Sequence, residues 1–266
     1  MAEALPLAPY PDLESRVEAM ERDGYVYFPS ILNAEEVAEL RATMDKLPSI
    51  KDSFDRDQTP ENGGFINRHI NNAFNRDILF LECIDKPGVI ELVEAIHGDD
   101  CHVIGSTAWT TGPGRPDQGL HIDWLPISLP EDIRADPRVK VPIFITTAHF
   151  YLNDMYEELG PTNFVPGSHL SGRRPGEDKE WKGQKERSIF CNAGDVVIFR
   201  SEVWHRGTAN TSNENRYLLQ VHYANRMITQ KFPPYLNKFQ FDEKILAQAT
   251  PRQRRLLGDH RPSNYD

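Results

Sequence analysis

Apolar positions along this chain change their spacing near residue 100. Before it they recur three and four residues apart, the period of a helix with one buried face. DLESRVEAMERDG follows that period and stops at Gly24, which predicts a first helix. YVYFPSI comes next as a strand. Asn33 then opens NAEEVAELRATMDKL, with Glu36 three residues on, a capping-box variant at the start of a second helix. KPGVIELVEAIHG predicts a third, with Pro87 near its start and Gly98 at its end. The stretch from 1 to about 100 therefore reads as helical with one strand.

Beyond it, short apolar or alternating runs are separated by Gly, Pro and Asn: CHVIGSTAWTT, GLHIDWL, VPIFITTAHFYLND, TNFVPGS, SIFCNAGDVVIFRSE and RYLLQVHYAN. Many short strands with turn signals between them predict a sandwich or barrel. This β core runs over about 101–230, and a helical tail occupies about 231–266. In the tail, ATPRQRRLLGDH reads as a closing helix, with Thr250 as cap, Pro251 at the first helical position and Gly258 as stop. No repeat or low-complexity tract interrupts the chain, so 1–266 reads as a single domain. Two stretches read as long loops. PISLPEDIRADPRVKVP (126–142) carries four prolines and is a candidate lid. SGRRPGEDKEWKGQKERS (171–188) mixes six basic with four acidic residues and reads as a solvated surface loop.

Composition narrows the function. The 266 residues are 39% hydrophobic, enough for a real core. A net charge of −10 argues against nucleic acid or an anionic membrane as partner. No apolar run has the length of a transmembrane helix. The N-terminus lacks the pattern of a secretory signal, and the C-terminal PSNYD is neither a peroxisomal nor an endoplasmic-reticulum address. Cys83, Cys101 and Cys191 show no paired spacing, so buried reduced thiols and a cytoplasmic location are expected.

The candidate chemistry lies in two His-x-Asp strings. His97 and Asp99 straddle Gly98 at a helix end, where the strand geometry that aligns alternate residues is absent; they read as structural. In GLHID, Leu120 and Ile122 alternate with His121 and Asp123, so a strand would turn the His and the Asp to one face. With His205 they make two imidazoles and one carboxylate, a set that suits non-haem Fe(II) and oxygen chemistry and leaves positions open. Arg216 follows His205 across the turn-rich ANTSNEN, and the two flanking strands are expected to pair as a hairpin. Its planar fork would then hold a carboxylate in the same cavity. A metal set beside a carboxylate clamp describes a site for 2-oxoglutarate, which chelates a metal at one end and bears a carboxylate at the other.

These motifs resemble the phytanoyl-CoA dioxygenase family of Fe(II)/2-oxoglutarate oxygenases. The resemblance covers nearly the whole chain: ERDGYVYFPSILNAEEVAELR, the HID string, GPTNFVPGSH at 160–169, AGDVVIFRSEVWH at 193–205, and Arg216. It implies a mostly β fold with flanking helices, a double-stranded β-helix or cupin-like jelly roll. It implies iron ligands at His121, Asp123 and His205, and a 2-oxoglutarate arginine at Arg216. Gln118 stands where relatives line the pocket, His149 where some set an aromatic residue against 2-oxoglutarate, and Thr208 where a hydroxyl residue follows the distal histidine. Retention of Asp123 favours oxygenation over halogenation, which in relatives goes with loss of that carboxylate. The implied cofactors are Fe(II), 2-oxoglutarate and O2. The acidic charge and missing peroxisomal address point to a small non-CoA substrate, such as a natural-product intermediate. The competing readings are an inactive jelly-roll binding protein and a non-oxidative cupin-like metal enzyme.

Other candidates read as structural. His69, His102 and His260 have no metal spacing, and His169 is expected to shape a turn. His222 shares parity with Arg216 and Gln220, so it faces either the cavity or the core. Trp124 has the opposite parity to Asp123 and is expected to pack away from the metal, while Trp109 and Trp204 are expected in the core. Arg68 is either a second anion contact or a surface arginine. Substrate walls are expected at 106–118, in the lid candidate, and near Asn163 and Arg206.

Overall fold

The architecture follows from a period-two split of side chains along the central strands. The computed structural model describes residues 3–49, 64–134, 136, 138–232 and 239–261. Its strands, in chain order, are β1 (Tyr25–Phe28), β2 (Asn67–Asn71), β3 (His102–Thr111), β4 (Ile145–Tyr151), β5 (Thr162–Phe164), β6 (Glu180–Trp181), β7 (Gln184–Lys185), β8 (Arg187–Ser188), β9 (Val196–Arg200), β10 (His205–Gly207) and β11 (Arg216–Ala224). Six form an antiparallel sheet in the order β1-β9-β4-β11-β3-β2, and three form a smaller sheet, β10-β5-β8. The two make a jelly roll. A further pair, β6-β7, lies within the 171–188 stretch.

On β11, Leu219, Val221 and Tyr223 join the large core cluster, as do Ala148 and Phe150 of β4 and Val196 and Ile198 of β9. That face is covered by helices Leu13–Arg22, Ala34–Lys46 and Val89–His97, which contribute Met20, Leu40, Met44, Ile90 and Val93. The alternate residues, Leu218, Gln220 and His222 on β11 and His149 on β4, face a cavity between the sheets. Strand β11 is buried on both faces: RYLLQVHYA sets apolar side chains in the core and Arg216, Gln220 and His222 among those facing the cavity.

Local signals form as expected. Asn33 caps its helix with both halves of the capping box. Thr250 does the same for Pro251–Leu256, and Gly258 ends that turn at φ 114. His97 closes its helix and contacts Ile143 O at 3.0 Å and Thr146 Oγ1 at 2.9 Å, so its role is structural. His169 sits buried in a 3-10 turn with Nε2 3.0 Å from Glu21 O.

Three expectations need correction. The first hundred residues hold a second strand, β2, whose NRHIN sequence is polar except for the buried Ile70 and pairs as an edge on β3. GLHIDWL forms no strand; it is held by an isolated bridge at His121 and by Asp123 N, which donates to Ser201 O at 3.1 Å. Strands β10 and β11 do not pair as a hairpin: β10 pairs with β5, and β11 lies between β3 and β4. The turn between them is built by Asn210, whose side chain donates to Glu214 O at 2.9 Å and accepts from Ser212 N at 3.1 Å. It carries the chain from one sheet to the other. The segments 50–63 and 233–238, residues 135 and 137 of the lid candidate, and the terminal 262–266 lie outside the described residues. Among those described, no helix is long and apolar enough to cross a membrane.

Burial pushes His97 down to about 4 and His169 down to about 3. Below the ordinary histidine value of 6.5 the unfolded chain takes up protons that these rings refuse. Stability is therefore full above that pH and falls as pH drops toward the folded values. Urea midpoints should fall from pH 7 to 5, each ring contributing up to ~1.4 kcal/mol per pH unit. His169→Gln should remove one ring's share of the slope; a flat native profile would contradict this.

Candidate active site

The bridge that replaces the expected strand joins the two halves of the site. His121 N donates to His205 O at 2.9 Å, and His205 N donates to His121 O at 2.8 Å. Ile122 packs with Val165, Trp181 and Trp204, with Leu120 against them. His121 and Asp123 turn the other way, into the cavity. The alternation read from GLHID thus holds without a strand.

Each ligand-type histidine is fixed in one tautomer. His121 Nδ1 lies 2.8 Å from Gly119 O, and His205 Nδ1 lies 2.9 Å from Val203 O. A carbonyl only accepts, so Nδ1 carries the proton in both rings and Nε2 keeps its lone pair. Burial pushes the His205 pKa down, which favours this neutral form. His205 Nε2 is 3.7 Å from Asp123 Oδ1. One donor atom from each of His121, Asp123 and His205 lies within 4.8 Å of the other two. Two neutral imidazoles and a carboxylate so gathered could hold a divalent metal and leave coordination positions open.

Asp123 is oriented in turn. Its Oδ2 accepts from Thr147 Oγ1 at 3.2 Å, and Thr147 Oγ1 is 3.0 Å from His222 Nδ1. The hydroxyl has one proton, which goes to the carboxylate, so His222 Nδ1–H donates to the hydroxyl oxygen. Burial pushes His222 down to about 3, so its ring is neutral. Burial pushes the Asp123 carboxyl up, but its polar surroundings, with the Lys231 ammonium among them, outweigh this and hold it below the ordinary carboxylate value, so it stays ionised.

Arg216 lies across the cavity. It is 4% exposed; Nη2 donates to Thr162 Oγ1 at 3.0 Å, and Nε has no partner. Burial pushes its pKa down, yet a guanidinium stays charged. Its unmet donors fit a carboxylate. Gln118 also lines this end and accepts from Gly207 N at 2.8 Å. His149 accepts from Gln220 Nε2 at 2.9 Å and meets Phe199 edge-on at 4.8 Å between ring centroids. Its Nδ1 is buried without a partner. Thr208 does not line the cavity: its hydroxyl donates to Pro161 O at 2.8 Å. Thr162, which the sequence reading missed, supplies the hydroxyl beside Arg216.

The cavity holds about 490 Å³, within the range of small-molecule sites. His222 and Gln220 face it, as their parity with Arg216 allows. Trp124 and Trp109 also line it, contrary to expectation. Parity fails for Trp124 because the chain bends after Asp123 instead of continuing as a strand. Trp109 shares the cavity-facing side of β3 with polar Thr107, the signal that was available. Trp204 is in the core, as expected. Arg68 donates to Leu47 O near Asp45 and is not a cavity anion contact. No described residue of the lid candidate lines the cavity; Ser128 and Arg134 bond instead to Gly172 O and His169 O. Arg206 is engaged by Glu186 at 2.6 Å and Asp117 at 2.5 Å, and Asn163 bonds Ser188.

A jelly roll enclosing a two-histidine, one-carboxylate set beside a buried arginine defines a non-haem iron, 2-oxoglutarate-dependent dioxygenase. The chain belongs to the phytanoyl-CoA dioxygenase family, whose profile matches residues 20–217. It is similar to the dioxygenase cdmA of Talaromyces verruculosus, at 24% identity over 92% of this chain and 82% of that one. Its fold is similar to that of the epimerase SnoN from nogalamycin biosynthesis, solved with Fe3+, alpha ketoglutarate and nogalamycin RO. The TM-score there is 0.62 at 21% identity, covering 85% of this chain and 89% of that one. HygX of Streptomyces hygroscopicus, solved with nickel, 2-oxoglutarate and hygromycin B, aligns with a TM-score of 0.61 at 16% identity, over 81% of this chain and 88% of that one.

Thr147→Val keeps the side-chain shape but leaves Asp123 and His222 without their shared hydroxyl. Divalent metal affinity should weaken by about 10–100-fold, the usual cost of losing a partner of a metal ligand. Competition against a chelating dye reads this directly, and unchanged affinity would show that the chain does not orient Asp123.

Proposed function

We propose that His121, Asp123 and His205 hold Fe(II), that Arg216 binds the far carboxylate of 2-oxoglutarate, and that the enzyme hydroxylates a C–H bond of a small non-CoA substrate. The supporting observation is a buried guanidinium with an unpartnered Nε in the same cavity as the three-donor cluster. When bound, the iron and 2-oxoglutarate supply the oxidising chemistry: one oxygen atom of O2 ends in succinate, the other in the hydroxylated product, and CO2 leaves.

The protein's part is position and exclusion. Carbonyls of Gly119 and Val203 keep both imidazoles in the ligating tautomer. Thr147 aims Asp123. Thr162 holds the Arg216 fork, which meets a carboxylate through two parallel donors. Leu218, Trp109 and Trp124 give the cavity apolar walls that limit water around the reacting C–H bond.

Asp123 favours oxygenation over halogenation. The volume suits 2-oxoglutarate plus a small molecule, and a net charge of −10 does not favour polyanionic CoA. Likeness in fold to SnoN and HygX, solved with nogalamycin RO and hygromycin B, supports a natural-product intermediate as substrate. Cytoplasmic location stays part of this reading, from the reduced-thiol pattern of the three buried cysteines.

Anaerobic titration with Fe(II) and then 2-oxoglutarate should give the weak visible charge-transfer band of the chelate. Arg216→Ala and His121→Ala should weaken or abolish it, and His205→Ala should do the same. A folded, metal-loaded protein without the band would move the weight to a binding protein or a non-oxidative cupin-like enzyme.

A further inference from the structure

Arg216 and His222 mark opposite ends of the cavity face of β11. At the His222 end the lining includes Lys231, an exposed residue that follows β11. An unpaired surface lysine ordinarily extends into water. Three features hold this one over the site.

The first is in the backbone. Pairing of β11 with β3 slips between His222 and Tyr223: His222 stands opposite Gly105 and Tyr223 opposite Val103, leaving Ile104 over. A bulge takes a residue out of the regular ladder. The Ile104 carbonyl accepts the Lys231 N–H at 2.8 Å. The second is space. A Cβ at Gly105 would lie 3.2 Å from Lys231 Cδ, so glycine leaves room for the lysine stem against the sheet. The third is the head group, with Nζ 4.1 Å from the centre of the Trp124 ring. Trp124 in turn meets His222 edge-on at 5.0 Å, and His222 Nδ1 is committed to Thr147.

Charge points to the occupant. In the loaded site, the charges of Fe(II), the Asp123 carboxylate, doubly ionised 2-oxoglutarate and Arg216 cancel. Of the lysine, arginine and carboxylate side chains lining the cavity, Lys231 is the one left over, and it makes no ion pair with a described residue. One ammonium beside a neutral imidazole matches a single negative charge, as a carboxylate carries; a doubly charged phosphate would call for more donors.

We propose that Lys231, backed by Trp124 and His222, is the subsite for a carboxylate of the substrate, so that the enzyme selects small carboxylic acids. This rests on the iron and 2-oxoglutarate reading above. The substrate would then lie with its acid group at the Lys231 end and its reacting carbon toward the His121, Asp123 and His205 donors.

The test uses the anaerobic enzyme loaded with Fe(II) and 2-oxoglutarate. The probes are a panel of hydroxy, amino and aromatic carboxylic acids, each paired with its methyl ester. Binding near the metal is read as a shift of the charge-transfer band. Acids should shift it, and their esters should need at least about tenfold higher concentration. Lys231→Met keeps the stem on Trp124 and should raise the apparent Kd of the acids by about tenfold or more, with Lys231→Arg recovering most of it. Equal response to acids and esters, no response to any acid, or unchanged acid binding in Lys231→Met would overturn the subsite. A band that forms but shows no preference for acids defeats this proposal alone; absence of the band in the native enzyme defeats the iron and 2-oxoglutarate reading on which it rests.

Discussion

His121 and His205 are far apart in sequence, and two backbone hydrogen bonds of 2.9 and 2.8 Å between them hold one residue of an irregular segment against the end of β10. The rest of the site depends on that bridge. It sets both imidazoles side by side, with ring centres 4.4 Å apart. It buries Ile122 among Trp181, Trp204 and Val165, and so commits His121 and Asp123 to the cavity. The same segment is tied on either side by Gln118 N, which donates to Gly207 O at 2.9 Å, and by Asp123 N, which donates to Ser201 O at 3.1 Å, so its register is fixed although it contains no regular element. Paired backbone groups with a buried apolar residue between two polar ones reproduce the geometry of a strand over the few residues where it matters.

Around this bridge the cavity is built from groups that satisfy one another in a fixed order. Carbonyls of Gly119 and Val203 set the histidine tautomers, and Thr147 passes a proton donor to Asp123 and receives one from His222. The major sheet contributes Arg216, Gln220 and His222 from a single strand, while the minor sheet contributes His205 and Thr162. Crossing between sheets at the Asn210 turn therefore matters for function. A hairpin would have set Arg216 beside His205 on one sheet; the crossover sets it on the facing one, with space between them for a ligand.

Much of this was legible in the sequence. Capping residues at Asn33 and Thr250 marked helix starts, because a side-chain oxygen three residues before a Glu or Gln satisfies free backbone donors locally. Alternation in GLHID set His121 and Asp123 on one face, and parity along RYLLQVHY grouped His222 with Arg216 and Gln220; all five line the cavity. What failed depended on contacts distant in sequence. Strand β2 has a single apolar residue, Ile70, too little for a periodic signal, and it forms because β3 offers an edge. Trp124 enters the cavity because the backbone bends, which parity cannot foresee. Thr208 turns to Pro161 because β5 lies beside it, and Thr162 then takes the position next to Arg216. The role of Lys231 was likewise hidden, since a bulge at Ile104 and the absent side chain of Gly105 leave no periodic trace.

The most direct measurement is a crystal structure of the enzyme with Mn(II) and 2-oxoglutarate, grown without oxygen. The expected result is one metal about 2.0–2.3 Å from Nε2 of His121, an oxygen of Asp123 and Nε2 of His205. The far carboxylate of 2-oxoglutarate should be paired with the Arg216 fork. A metal bound by other residues, or a 2-oxoglutarate whose far carboxylate points away from Arg216, would contradict it.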